Sequence, residues 1–320
     1  MPGSPKGNTV PGAYPPPVPT LSGDLLTVHR LLQSPALLER RLRTLAELRF
    51  VADLILTGRY RSSGGAVSYE ISEPTMNTRA IQAIPPGSEY PRDTPGSGTA
   101  AVAAVSKWGE AVPLTDELLK RSVYMGQELN RALLKTANTV ISKVDRLTTA
   151  AVASAVTQVS AATAAWNAAS PALFRDVEVA GAKVVDQNQG YNPNAVLMST
   201  TKAAMMVTDP AIATLRRRED STNPIYGGGM EFLGKYRVIS TAASNLPSDD
   251  IWVFDADQLG GMADELEVDP GYATLENGLQ YKTVRMETRD AWDIMARRIT
   301  VPIVREPGAA VKITGTGSLG

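Results

Sequence analysis

The chain has 320 residues, of which 43% are hydrophobic and 20% charged, with a formal net charge of -1 at pH 7. Such a balance describes an ordinary folded protein with material for about two domains, and it lacks the basic excess that tight binding to nucleic-acid phosphates requires. The absence of cysteine excludes disulfides, thiolate metal sites and cysteine nucleophiles, and a single histidine, His29, removes most imidazole-based metal and acid–base chemistry.

Residues 1–20 hold seven prolines and one charged side chain, Lys6, which predicts an extended polyproline-like arm. The N-terminus has no apolar signal-peptide core, and no run of about 18 apolar residues offers a membrane span. From Ser22 to about Thr57 leucines recur at helical spacing, broken at Pro35, so two short amphipathic helices are expected; His29 lies in this pattern and reads as structural. The period then changes to two. Val67, Tyr69 and Ile71 alternate after Gly64-Gly65 and predict a strand with one apolar face. Residues 73–99 contain five prolines and almost no aliphatic pattern, after which Thr99 to Thr115 reads as a returning strand. An irregular connection of about 25 residues is well beyond the usual length. Within it Glu89, Tyr90 and Arg92 give an ordered loop something specific to contact.

Thr115 to Ser154 reads as one long helix. Thr115 suits the N-cap, Asp116 and Glu117 suit the positive end of the helix dipole, and only Gly126 interrupts. At about 1.5 Å per residue it would span roughly 60 Å. Leu119, Val123, Leu133, Ala137, Val140, Val144, Leu147 and Ala151 form one narrow stripe that other segments must cover. From Leu133 the steps alternate four and three, yet the repeat is short and its seam includes two alanines, which favours a spine inside a mixed subunit over a coiled coil. Beyond it, Leu173, Val177, Ala180 and Val184 predict a helix ending by Gly190, and residues 194–199 a buried strand. Helical turns follow, then strands around 227–247, 251–262, 279–289 and 294–315, with Pro302 marking an edge or a bulge. The class is α+β.

Motifs for chemistry are scarce. The sequence of residues 315–320, GTGSLG, spells a dinucleotide fingerprint but is followed by no helix to hold a pyrophosphate. Asp249, Asp250, Asp255, Asp257 and Asp264 straddle a strand without calcium-loop spacing and read as turn acids. Arg216, Arg217 and Arg218 read as a helix end paired with Glu219 and Asp220. No nucleophile elbow, phosphate loop or zinc-protease motif is present. The absence of a catalytic set moves weight toward a protein that binds its own copies.

The order of these elements, with KWGEAVPLTDELLKRS opening the long helix, then NPNAVLMSTTKAA, GKYRVISTAASNLPSDDIWVFDADQLGG and RDAWDIMARRITVPIVREPGAAVKI, resembles the major capsid proteins of tailed bacteriophages. The stretch RFVADLILTGRYRSSGGAVSYE with GSEYPR looks especially like those of phages infecting actinobacteria. The resemblance covers roughly residues 22–313 and implies the Hong Kong 97-type fold. It implies an N-terminal arm (1–57) with short helices and an extended loop (58–107). A peripheral domain would hold the spine helix (108–163) and a closing strand (294–314); an axial domain (164–293) and a short tail (315–320) complete the division.

The resemblance further implies a non-enzymatic structural subunit that assembles as pentamers and hexamers into an icosahedral shell around double-stranded phage DNA, with weak non-specific contact to it. The expected partners are a portal protein, a separate scaffold protein and a decoration or minor capsid protein. The expected place is the virion, after assembly in the host cytoplasm. No cofactor or metal is expected. Glu70, Glu89, Tyr90 and Arg92 are the candidates for subunit contact. Some members of the family cross-link their shells through a lysine in the extended loop; residues 58–106 contain none, and Lys107 stands at the base. An encapsulin-type compartment shell with protein cargo is the alternative.

Overall fold

The long helix is where local sequence and tertiary packing first meet. A computed structural model describes residues 50–77, 79–94, 96–121, 125–168, 171–209, 231–267, 271–275 and 278–317, with 119–121 and 125–130 described by backbone alone. The proline-rich arm, His29, the leucine pattern before Phe50 and Arg216 to Arg218 lie outside the described residues. After the short helix α1 (Ala52–Ile55), the spine appears as α2 (Asp116–Arg121) and α3 (Met125–Ala155). Thr115 Oγ1 accepts from the Leu118 N–H at 3.3 Å, the N-cap its sequence suggested.

Leu133, Ala137, Val140, Ile141, Val144, Val152 and Val156 are buried. The expected stripe needs correcting at its C-terminal end. Leu147 and Ala151 are only partly buried, and Thr148 and Val152 take their places. A helix of 3.6 residues per turn drifts off a strict seven-residue repeat by about 20° per heptad, and nothing here supercoils to hold it. The threonines tolerate burial because Thr136 and Thr148 donate to the carbonyls of Ala132 and Val144, at 2.8 and 3.0 Å.

Two six-stranded sheets flank the spine. The first runs β1 (Gly58–Arg61), β10 (Gly260–Asp264), β13 (Ala291–Val304), β12 (Gln280–Met286), β11 (Ala273–Thr274), with β4 (Ser106–Thr115) also paired to β13. The second runs β5 (Val159–Ala161), β14 (Ala310–Thr314), β9 (Ile251–Phe254), β6 (Ala195–Ser199), β8 (Tyr236–Thr241), β7 (Phe232–Leu233). Its strands alternate between two cores. Ala195, Leu197, Trp252 and Phe254 join the spine's apolar cluster, while Val196, Met198, Ile251 and Val253 pack with α4 (Leu173–Val185). β6 is therefore buried on both faces, which is why it reads as a continuous apolar run.

The strand expected over 294–314 is two strands in two sheets. β13 pairs with β4, β12 and β10, whereas β14 pairs with β9 and β5, the turn Pro307–Ala309 carrying the chain across. Residues 260–264 and 280–286 likewise belong to the first sheet, and β1 lies in that sheet rather than in a loop. Strand pairing thus joins segments far apart in the chain, because chain order does not record which edges meet. Pro302 stands opposite Met262, beyond the last β4 pairing at Thr300, so β13 has one neighbour there, as a missing N–H demands.

Candidate assembly surfaces

Strands β2 (Ala66–Ile71) and β3 (Thr99–Ala104) form a separate two-stranded sheet, in register from Ala66 opposite Ala104 to Ile71 opposite Thr99. Val67, Tyr69 and Ile71 are half-buried and Ala66, Ser68 and Glu70 exposed, the alternation the sequence predicted. A hairpin pair by itself is marginal in water, so its base must be held. Ser72, at a positive φ of 54°, donates its N–H to Arg305 O at 2.9 Å. The Glu73 N–H donates to Glu306 Oε1 at 3.3 Å, and the Thr75 N–H and hydroxyl both donate to Gln189 Oε1.

These contacts line a cleft of about 330 Å³ that includes Tyr60, Tyr191, Arg305 and Glu306. The Tyr191 hydroxyl donates to Glu306 Oε2 at 2.8 Å, and burial together with that carboxylate pushes its pKa up, keeping the phenol a donor. Of the acids that line it, Glu306 grips the loop and Tyr191, and Asp257 accepts from Asn194, so the cleft reads as a socket.

Past Met76, whose Sδ accepts from Asn188 Nδ2 at 3.8 Å, the loop leaves the body. Arg79 ties its two limbs, its backbone N–H donating to Asp93 Oδ2 at 3.0 Å and its guanidinium to Arg92 O at 3.0 Å. Ile81 is fully exposed and Tyr90 81% exposed, apolar area that no described part of the same chain covers. Glu89 and Arg92 form an ion pair of 3.5 Å with both side chains 89% exposed; such a pair is worth little to stability and leaves both groups accessible. Three of the four residues that the sequence singles out therefore share one projecting stretch. Glu70 does not join them; it stands on the exposed side of β2, opposite Ala100.

A second feature has no motif to announce it. Where the chain enters from residue 50, Arg298 of β13 is fully buried, with Nε and Nη2 reaching Asp264 at 3.0 and 3.1 Å and Nη2 reaching Asp53 at 3.1 Å. Arg59 adds a contact to Asp53 at 2.8 Å, and the Arg298 guanidinium lies 4.5 Å from the Phe50 ring. Beside them Asp145 of the spine accepts the Ala52 N–H at 2.9 Å. Burial lifts the Asp145 pKa to about 6, with backbone donors at Ala52 and Val51 working against it, Asp53 adding to it and Arg298 reducing it. The cluster ties α1, β1, β10, β13 and the spine together.

Lys202 is a third case, fully buried. Its ammonium donates to the carbonyls of Thr316 and Gly317 and lies 3.5 Å from Asp249, holding the end of the described chain onto the second sheet. The available signal for Asp145, Arg298 and Lys202 is charge set inside an apolar run, in VISKVDRL, IMARRITV and VLMSTTKAA, and in the first two the neighbouring charges Lys143, Arg146 and Arg297 hide which one is the most deeply buried. The five aspartates have separate duties: Asp249 takes Ser199 and Lys202, Asp250 takes Ser248 and Lys312, Asp255 takes the Asn192 N–H, Asp257 takes Asn194, and Asp264 takes Arg298. Among the described residues, no group of three or more His, Cys, Asp or Glu side chains is placed to hold a metal, and no helix is long and apolar enough to cross a membrane.

A spine helix, two flanking sheets and a projecting hairpin define an α+β fold of the Hong Kong 97 type. The capsid of the cyanophage P-SCSP1u is similar, with a TM-score of 0.57 at 13% identity over 83% of this chain and 88% of that one. So are the Mycobacterium phage Che8 structure (0.53, 12% identity, 84% and 93%) and a virus-like particle from Pyrococcus furiosus (0.54, 12% identity, 86% and 97%). No curated protein matches the chain. A sequence profile described as phage capsid protein matches residues 99–313, two thirds of the chain, and the chain belongs to that family. It is a structural shell protein of a phage capsid.

Proposed function

We propose that this chain is the major capsid protein of a tailed phage, assembling as pentamers and hexamers into an icosahedral shell that encloses double-stranded DNA. The observation that carries the reading is the projecting loop. It is anchored at its base to Gln189, Arg305 and Glu306 and exposes Ile81, Tyr90 and the Glu89–Arg92 pair with no cover from the described part of its own chain. An anchored arm ending in uncovered apolar and charged groups suits a neighbour in a closed lattice, where many modest contacts repeat by symmetry. In this reading Glu89, Tyr90 and Arg92 touch the adjacent subunit and Glu70 lines the hairpin's outer side. The second sheet with α4 is the axial part, and the first sheet with the spine is the peripheral part. A portal, a separate scaffold protein and a decoration protein complete the particle, which assembles in the host cytoplasm. No catalytic step is assigned.

Negative-stain microscopy and light scattering of the purified protein, alone and coexpressed with the scaffold encoded beside it, test this. Closed shells or capsomer rings are expected. A monomer that persists with scaffold present overturns the reading. The likeness to the Pyrococcus virus-like particle favours one second reading, an encapsulin-type compartment. Shells that carry a protein cargo and no portal vertex would select it.

A further inference from the structure

The exposed side of the spine helix carries a charge distribution that packing does not explain. Between Arg131 and Ala155 the sequence of α3 has four cations, Arg131, Lys135, Lys143 and Arg146, and one acid. The acid, Asp145, is buried toward the core, while all four cations are exposed. At 100° per residue they fall within about a third of the helix circumference, and at about 1.5 Å per residue they form a row roughly 22 Å long.

The described neighbours of Lys143 and Arg146 are neutral. Lys143 lies 5.0 Å from the Trp108 ring, Arg146 Nε donates to Asn245 Oδ1 at 3.4 Å, and the same Asn245 oxygen accepts from Ser142 at 3.1 Å. Among the described residues no carboxylate lies within salt-bridge distance of Lys135, Lys143 or Arg146. In a chain of net charge -1, such a one-signed row is a segregated feature.

We infer that this face of the spine helix is a contact for the phosphate backbone of duplex nucleic acid. The inference rests on the capsid reading, in which it identifies the surface turned toward the packaged DNA. Two observations favour a nucleic acid over a protein partner. No large apolar side chain is exposed between residues 131 and 155, so the aromatic or aliphatic anchor on which protein interfaces depend is missing. Between the cations stand Asn138, Thr139 and Ser142, so small polar groups separate them, with the Thr139 and Ser142 hydroxyls donating to Lys135 O and Asn245 Oδ1. A row of about 22 Å spans about six base pairs, and cations on a smooth helix face read no base edge. The contact is non-specific and weakens with salt.

The test is binding of a 30-base-pair duplex of random sequence to unassembled subunits, followed by fluorescence anisotropy between 25 and 200 mM NaCl. Replacing Lys135, Lys143 and Arg146 together by Gln is expected to reduce the slope of log K against log salt by about 2.7, near 0.9 for each phosphate that is no longer neutralised. The single Lys135→Gln change is expected to reduce it by about 0.9 and guards against misfolding of the triple variant. Replacing Arg175, Lys235 and Arg237, three exposed cations away from the helix, should leave the slope unchanged.

A triple variant with the wild-type slope, a control set whose slope falls as far, or a wild-type chain that ignores the duplex overturns the inference. So does a poly-glutamate chain bound at least as tightly as the duplex, which would assign the face to an acidic protein. Shell formation by each variant, scored by microscopy, is a separate readout. Helix variants (Lys135, Lys143, Arg146) that assemble but keep the wild-type slope sink the DNA contact and leave the capsid reading standing; a wild-type chain that never assembles sinks the capsid reading.

Discussion

Asp145 shows how one buried charge sets a pH dependence. Its pKa rises on folding from 3.8 to about 6, so the folded state binds its proton more tightly than the unfolded chain does. The sign follows. This group's stabilising contribution is fully present below about pH 4 and is lost as the pH rises through 6, about 3 kcal/mol in all at 1.36 kcal/mol per unit. Asp145→Asn keeps the shape and the acceptor for the Ala52 N–H without the charge. Urea unfolding at pH 4, 5, 6 and 7 should show the variant gaining on the wild type with rising pH, by up to about 3 kcal/mol at pH 7. A difference that stays constant with pH would mean that Asp145 is not the titrating group.

Between elements, a helix comes close to a sheet strand at a glycine. A Cβ on Gly181 of α4 would collide with the Tyr236 hydroxyl and sit 2.9 Å from Tyr236 Cζ. Tyr236 of β8 cannot swing aside easily: it is fully buried, and its hydroxyl donates to Glu178 at 3.2 Å. Gly181→Ala should therefore destabilise the subunit by about 1–3 kcal/mol despite the better helix propensity of alanine, measured by denaturant unfolding. The double change with Tyr236→Phe, which removes the obstructing oxygen, should recover part of the loss. The spine makes the same point about registry. Its stripe is legible to within one position, and only its contact with both sheets shows that Thr148 and Val152, rather than Leu147 and Ala151, face inward.

For the whole molecule, the projecting loop is separable from the fold. Ile71 pairs with Thr99, so replacing residues 72–98 by Asn-Gly joins β2 to β3 through a two-residue turn that matches strand twist. The subunit should remain folded, because both apolar clusters contain only residues outside that span. It should fail to close shells in electron micrographs. Normal particles from this variant would remove the loop from assembly.

Much of the fold is legible along the chain because local physics writes it there. Period two marks β2, period near 3.6 marks the spine and α4, a continuous apolar run marks β6, and Pro302 announces a strand edge. The excessive length of the 73–99 connection marks the candidate surface, and Glu89, Tyr90 and Arg92 lie on it. What required tertiary structure was long-range partnership. That β13 and β14 enter different sheets, that Arg298 is matched by Asp53 and Asp264, and that Lys202 holds carbonyls 114 and 115 residues away are decided by which edges and side chains meet in space. A sequence pattern reports the environment a residue needs, apolar or polar, paired or free; it carries no address for the partner, because burial energy is non-directional and the choice among partners is made by the packing of the whole chain.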